Sequence, residues 1–312
     1  MKSKTLAVAF LGIFAASASA ELTWHTDFEK GQKAAEEAGK NLLVDFTGSD
    51  WCHWCIKLKE EVFDQEAFEA VAEDYVLVEL DFPNDESLVS PEQRKKNEEL
   101  ALNYSVEGFP TVLLFDSAGR PIARTGYQQG GAEAYLKHLA EITQPYENLK
   151  KADGEEREEA LATFLSNTNP SDIEAHFEKE LDELKKLDPE DERGVQAELA
   201  SAKRLAEFQS KIEEKFMAGE FDKALADVDS YLAKHEPKGE ELQFILMARL
   251  TVYVEQGKKE EAFAAVDEVA KVLPESDFAQ NVEVIKNNIT AHLQQRAEME
   301  EESPEQEEAD SE

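Results

Sequence analysis

The 312-residue chain contains few cysteines and few basic residues. Its 33 Lys and Arg face 69 Asp and Glu, which gives a formal net charge of −36 at pH 7. Nucleic acid is therefore not an expected partner, because phosphate binding needs clustered Lys and Arg. The two cysteines, together with the scattered His25, His53 and His138, form no compact four-ligand pattern, so we expect no metal site.

Long apolar runs are confined to the first twenty residues. Lys2 and Lys4 precede an apolar stretch over 6–16, and Ala18-Ser19-Ala20 places small residues where a signal peptidase cleaves. Nothing later approaches the ~20 apolar residues of a membrane-spanning helix, so no membrane insertion is expected. The sequence predicts a signal peptide over 1–20, cleavage near Ala20 and a periplasmic or secreted location, where a disulfide can persist.

The composition of the chain changes at Gln144-Pro145-Tyr146. All three tryptophans, both cysteines and most of the glycines lie before residue 145, whereas the remainder is charged and has helical periodicity. The predicted organisation is an α/β domain over 21–145, an all-α domain over 146–296 and an acidic disordered tail over 297–312. The tail is predicted from its nine Asp or Glu and its lack of any basic residue.

Both cysteines fall in one short motif, Trp51-Cys52-His53-Trp54-Cys55. The apolar run over 41–46 before it predicts a buried strand, and the apolar residues after it recur at helical spacing. Cys52 is therefore expected at a helix N-terminus, where unpaired N–H groups and the helix dipole favour a thiolate. Such a C-x-x-C indicates a redox-active dithiol, since a four-residue loop gains only about 2 kcal/mol from a purely structural disulfide.

The first domain resembles the thioredoxin-like family. The resemblance rests on the order βαβ followed by ββα, on the T-G-S-D-W-C-x-W-C motif ending at Cys55, and on Gly108-Phe109-Pro110-Thr111 before a strand. It covers roughly residues 21–144 and implies a thioredoxin fold and a thiol–disulfide oxidoreductase. The implied partners are protein thiols or disulfides and a redox partner, and no cofactor is implied.

The resemblance also implies roles for individual residues. Cys52 would be the nucleophile and Cys55 the resolving thiol of a redox-active disulfide, with Asp45 as the proton acceptor for Cys55. Pro110 would follow a cis peptide bond, and the backbone beside it would pair with an extended substrate segment. Glu79 occupies the place of a lysine that often partners this acid, so the role of Asp45 as a base stays open, because two nearby acids raise one pKa.

The residues around the dithiol are candidate substrate contacts. Trp51 and Trp54 would form an apolar rim around the sulfur, although core packing is an alternative for Trp54. His53 could place a positive charge beside the thiolate or could be a solvated turn residue. Phe109 and Pro110 complete the predicted substrate-binding set.

The helical half contains no catalytic constellation. A faint repeat at an offset of 38 relates Gly219, Ala224, Leu225, Val228 and Asp229 to Gly257, Ala262, Phe263, Val266 and Asp267, which resembles tetratricopeptide-type helix pairs. An ordinary helical bundle is the alternative. Such helices would bind a protein partner, so the rivals to a periplasmic oxidoreductase are a non-catalytic adaptor and a reductant in metal- or haem-protein maturation.

Overall fold

The computed structural model describes residues 22–302. The predicted signal peptide and residues 303–312 of the predicted tail lie outside this range. A five-stranded sheet is formed by β1 (Trp24–His25), β2 (Asn41–Thr47), β3 (Tyr75–Asp81), β4 (Thr111–Phe115) and β5 (Pro121–Thr125). The strands lie in the order β1-β3-β2-β4-β5. β3 runs parallel to β1 and β2, whereas β4 is antiparallel to β2 and β5.

Four helices complete the predicted βαβ and ββα pattern: α1 (Phe28–Ala38), α2 (His53–Leu58), α3 (Pro91–Asn103) and α4 (Gly131–Lys151). α2 continues into a π-helical turn over Lys59–Phe63 and a 3-10 helix over Glu66–Glu73. The predicted thioredoxin fold is thus confirmed for the first part of the chain, and a mostly helical region follows it.

The central strand β2 is buried on both faces, which explains its continuous run of apolar residues. Its side chains alternate between the two faces, so Leu42, Val44 and Phe46 pack with Phe28 and Ala35 of α1. Asp45 is a carboxylate within this apolar strand. It lies on the opposite face and is only 4% exposed.

The chain divides into compact units at a different place from the change in composition. The units separate between Gln196 and Ala197, and helix α4 runs straight through Pro145. Tyr146 and Leu149, just after the predicted boundary, are buried. Proline destabilises a helix interior, but the burial of these two side chains holds α4 together beyond it. The first unit therefore also contains α5 (Arg157–Ser166), α6 (Pro170–His176) and α7 (Glu178–Leu187).

A polar network ties these helices to the β4–β5 hairpin. The Asp116 carboxylate accepts hydrogen bonds from Arg120 Nε at 2.8 Å and from the Tyr146 hydroxyl at 2.7 Å. Arg120 also binds Glu180 at 2.8 Å and lies 4.9 Å from the Phe177 ring. Burial acts to raise the pKa of Asp116, but the hydrogen bonds from Arg120 and Tyr146 outweigh it and hold this pKa below its usual value. Composition gives no sign of such contacts between residues far apart in sequence.

The second unit is helical, with its own apolar cores. It contains all but the first two residues of α8 (Val195–Met217), together with α9 (Phe221–His235), α10 (Gly239–Glu255), α11 (Lys259–Val272), α12 (Asp277–Gln280) and α13 (Val282–Glu302). Residues 297–302, predicted as the start of the disordered tail, are thus helical. Arg296 donates to the Glu255 carbonyl oxygen at 3.1 Å and so anchors α13 just before them.

Residues 38 positions apart have similar surroundings in α9 and α11. Gly219 and Gly257 both adopt positive φ, and Ala224 and Ala262 are both fully buried. The aspartates also correspond: Asp229 binds Arg249 and Asp267 binds Lys286, at 2.8 and 2.6 Å. A true repeat array stays a prediction. Across residues 22–302, no helix is long and apolar enough to cross a membrane.

Candidate functional site

The two cysteines form a disulfide at the turn from β2 into α2. Cys52 is the N-cap residue of α2, and its Sγ accepts a hydrogen bond from the Cys55 N–H at 3.2 Å. Cys55 lies inside the first turn of the helix. Both residues are buried, at 5% and 3% exposure, so burial does not distinguish them. Their positions do, because only Cys52 lies where the unpaired N–H groups and the helix dipole stabilise a thiolate.

The turn before Cys52 is held by acidic side chains. Asp81 at the end of β3 accepts hydrogen bonds from the Ser49 backbone and hydroxyl at 2.9 and 2.6 Å. Asp50 accepts from the backbone N–H groups of Asn84 and Asp85 at 2.9 and 2.8 Å, and these bonds lower the pKa of Asp50. The turn is thus attached to the neighbouring strand end. The sequence alone predicts no role for Asp50 or Asp81.

Trp51 is half-exposed but fixed in place. Its Nε1–H donates to the Phe82 carbonyl oxygen at 2.8 Å, and its ring lies 5.7 Å from the Phe109 ring in an edge-to-face contact. Gly48 lies beneath it, since a Cβ there would approach the Trp51 ring to 2.5 Å. The structure therefore brings together Trp51 and Phe109, two of the predicted substrate contacts.

Trp54 is likewise half-exposed, which places it at the surface rather than in the core. Its ring contacts His53 and Tyr127, each at 5.2 Å between centroids. Tyr127 donates a hydrogen bond to Glu61 at 2.6 Å, and Lys57 Nζ lies 5.3 Å from the Trp54 ring. Tyr127 follows β5 and lies far from the motif in sequence, so no local pattern predicts its place at the site.

The Phe109–Pro110 peptide bond is cis, as the resemblance implies. The Thr111 hydroxyl donates to the Gly108 carbonyl oxygen at 2.7 Å and closes the turn before β4. Gly126 lies against this segment, because a Cβ on it would come within 2.8 Å of the Pro110 carbonyl oxygen. A larger residue at 126 would displace the backbone that precedes β4.

Asp45 is the buried acid on the strand that leads to the dithiol. Burial, followed by the negative charges of Glu79 and Asp81, raises its pKa well above the usual value. Glu79 is the register partner of Asp45 on β3, and burial also raises its pKa. The Asp45 Oδ1 atom has no hydrogen-bond partner among the described residues. Asp45 can therefore hold a proton at a pH where an exposed aspartate is ionised.

Comparison with known proteins identifies relatives of the first unit. The profile of the thioredoxin-like domain family matches residues 28–143. The disulfide bond reductase DsbH of Chlamydia pneumoniae is 37% identical over 123 residues, which are 39% of this chain and 73% of that protein. The thioredoxin-related protein DsbJ of the same organism is 30% identical over 113 residues, or 31% of its length. A solved structure of DsbH oxidoreductase has 32% identity and a TM-score of 0.39, and the match covers 44% of this chain and 95% of that one.

Proposed function

We propose that this chain reduces protein disulfides outside the cytoplasm. The chain belongs to the thioredoxin-like family that includes DsbH, and the chain is a thiol–disulfide oxidoreductase. The observation that carries the proposal is the Cys52–Cys55 disulfide at the N-terminus of α2. The relative DsbH is a disulfide bond reductase, which supports this direction of electron flow.

The reaction begins with the dithiol form. The Cys52 thiolate attacks one sulfur of the substrate disulfide; a Cys52–substrate disulfide forms, and the released substrate thiolate takes a proton from solvent. Asp45, as a carboxylate, then accepts the proton of the Cys55 thiol. The Cys55 thiolate attacks Cys52 Sγ, which closes the Cys52–Cys55 disulfide and releases the second substrate thiolate. Two electrons pass from the enzyme to the substrate, and an external dithiol restores the reduced enzyme.

The proposed direction of electron flow predicts a low midpoint potential, because a dithiol must be more reducing than the disulfides that it reduces. We expect a midpoint potential of about −270 to −200 mV, the range of thioredoxin and the glutaredoxins. Equilibration of the intact protein with glutathione buffers, followed by alkylation and mass analysis, measures it. A potential near −120 mV, about that of DsbA, would instead identify an oxidant.

The proposed location outside the cytoplasm depends on cleavage after Ala20. The charged start, the apolar stretch and Ala18-Ser19-Ala20 support such cleavage. We expect intact-mass analysis of protein from the cell envelope to give a chain that begins at Glu21. Recovery of the chain with residues 1–20 still attached would argue against this location.

A protein partner on the helical unit stays a proposal. The matching surroundings of α9 and α11 support a repeat-type surface, and stacked helix pairs commonly bind proteins.

A further inference from the structure

Trp54, an exposed residue between the two cysteines, contacts the Tyr127 ring and the Lys57 ammonium as well as the neighbouring His53. Trp54 is 47% exposed. Here the ring is packed against Tyr127, which the chain supplies from the segment after β5. The contact therefore joins the dithiol helix to a separate part of the sheet.

Two charged residues, Lys57 and Glu61, complete the cluster around Trp54 and Tyr127, and we call these four side chains the brace. Tyr127 donates its hydroxyl proton to Glu61 at 2.6 Å, and Glu61 lies 3.6 Å from Lys57 Nζ. The same ammonium lies 5.3 Å from the Trp54 ring centroid and 5.2 Å from that of Tyr127. A cation at these distances attracts the faces of both rings. The four side chains thus restrict one another. Little further side-chain entropy should therefore be lost from them when a ligand binds.

The charges of the brace compensate each other. Lys57 and Glu61 form an ion pair on neighbouring turns of the same helical segment, so their charges largely cancel beside the Trp54 and Tyr127 rings. Trp51, held by Phe82 and Phe109, adds a second fixed ring on the other side of Cys52 in sequence. Such a surface suits a neutral, bulky apolar side chain.

We propose that Trp54, braced by Tyr127, Lys57 and Glu61, selects protein disulfides whose cysteine is flanked by bulky apolar residues. This inference rests on the proposed function, since the occupant is the segment that carries the reacting cysteine. Tyr127 is a positioning residue in this account, because it acts through Trp54. Its effect belongs to substrate binding, so it should change KM more than kcat.

The test compares two glutathionylated peptides that differ only beside the cysteine, one with Phe-Cys-Phe and one with Gly-Cys-Gly. Both flanks are neutral, so the acidic charge of the chain affects the two peptides equally. For the intact protein, kcat/KM should be about tenfold higher for the phenylalanine peptide, mainly through KM. Tyr127→Ala should reduce this ratio to about threefold or less, whereas Tyr127→Phe, which keeps the ring, should retain at least half of it.

Two further variants make the result specific. Lys57→Met removes the cation and keeps an apolar stem, so it should give an intermediate ratio even if Tyr127→Ala is poorly folded. Leu102→Ser changes an exposed apolar residue of α3 that is 79% exposed, and it should leave the ratio unchanged. Equal turnover of both peptides by the wild type, or an unchanged ratio in Tyr127→Ala and Lys57→Met, would overturn the proposal and leave the proposed function standing. Failure to reduce either peptide would contradict the proposed function itself.

Discussion

Replacement of Cys52 by serine is expected to abolish turnover of protein disulfides, with a loss of at least a thousandfold. Only a thiolate attacks a disulfide at a useful rate, and Cys52 is the cysteine at the α2 N-terminus, where the helix stabilises the negative charge. Serine supplies a side-chain oxygen in place of the Cys52 sulfur as acceptor for the Cys55 N–H, so the helix should still form. The loss of activity should therefore result from the missing thiol rather than from misfolding.

Cys55→Ser is the matched variant and should behave differently. It keeps the attacking thiol and removes the resolving one, so it should accumulate Cys52–substrate mixed disulfides that Cys52→Ser does not form. Non-reducing mass analysis after incubation with a protein disulfide measures the trapped species. Equal trapping by the two variants would contradict the assigned order of attack, and trapping by Cys52→Ser alone would reverse it.

Asp45→Asn should slow the resolving step by about a hundredfold near neutral pH, within the range of general acid–base catalysis. Without the carboxylate, the Cys55 thiol must lose its proton to solvent, so the rate should rise with pH toward the thiol pKa of about 8.5. Stopped-flow measurement of mixed-disulfide decay against pH tests this. A wild-type rate and pH profile in Asp45→Asn would remove Asp45 from the mechanism.

The same substitution should also change how stability depends on pH. Burial and the charges of Glu79 and Asp81 raise the pKa of Asp45 in the folded state, so the folded protein binds a proton that the unfolded chain releases. The stabilisation from this proton is complete below the unfolded-state pKa of about 3.9 and is lost as the pH rises through the folded-state pKa. Within that window, the wild type should lose up to about 1.4 kcal/mol of unfolding free energy per pH unit relative to Asp45→Asn.

Glu79→Gln is the matched control for both measurements. It removes one negative charge that faces Asp45 from β3 and keeps the carboxyl group of Asp45. The pH-dependent stability that Asp45 causes should therefore end at a lower pH in Glu79→Gln, whereas in Asp45→Asn only the contribution of Glu79, whose pKa burial also raises, should remain. Urea unfolding of the oxidised proteins over a series of pH values gives both curves. Parallel curves for wild type and Asp45→Asn would show that Asp45 does not carry the raised pKa.

The dithiol was predictable from the sequence because its features are local. The apolar run over 41–46, the turn and the helical spacing after Cys55 are continuous in the chain, and the strand and helix follow directly from them. The Tyr127–Glu61 contact joins residues 66 positions apart, and no local pattern marks either residue. The continuation of α4 through Pro145 is equally non-local, since the burial of Tyr146 and Leu149 depends on tertiary packing.

The pairing of the two buried acids, Asp45 and Glu79, is also difficult to predict from the sequence. Sequence alone places Asp45 and Glu79 on strands, but the effect of each on the other depends on strand register. In the structure they are direct partners on β2 and β3, so the negative charge of Glu79 disfavours ionisation of Asp45. The expectation that two nearby acids raise one pKa thus follows from the register of β2 and β3.

In the proposed reaction, Cys52 and Cys55 form a dithiol that donates two electrons to a protein disulfide. A single-turnover reaction tests it most directly: the reduced, intact protein is mixed with an equal amount of a disulfide substrate, with no other thiol present, and both products are weighed by mass spectrometry. We predict that the enzyme loses two hydrogens as the Cys52–Cys55 disulfide closes, while the substrate gains two. An enzyme that stays fully reduced beside an unchanged substrate that dithiothreitol can reduce would contradict the account.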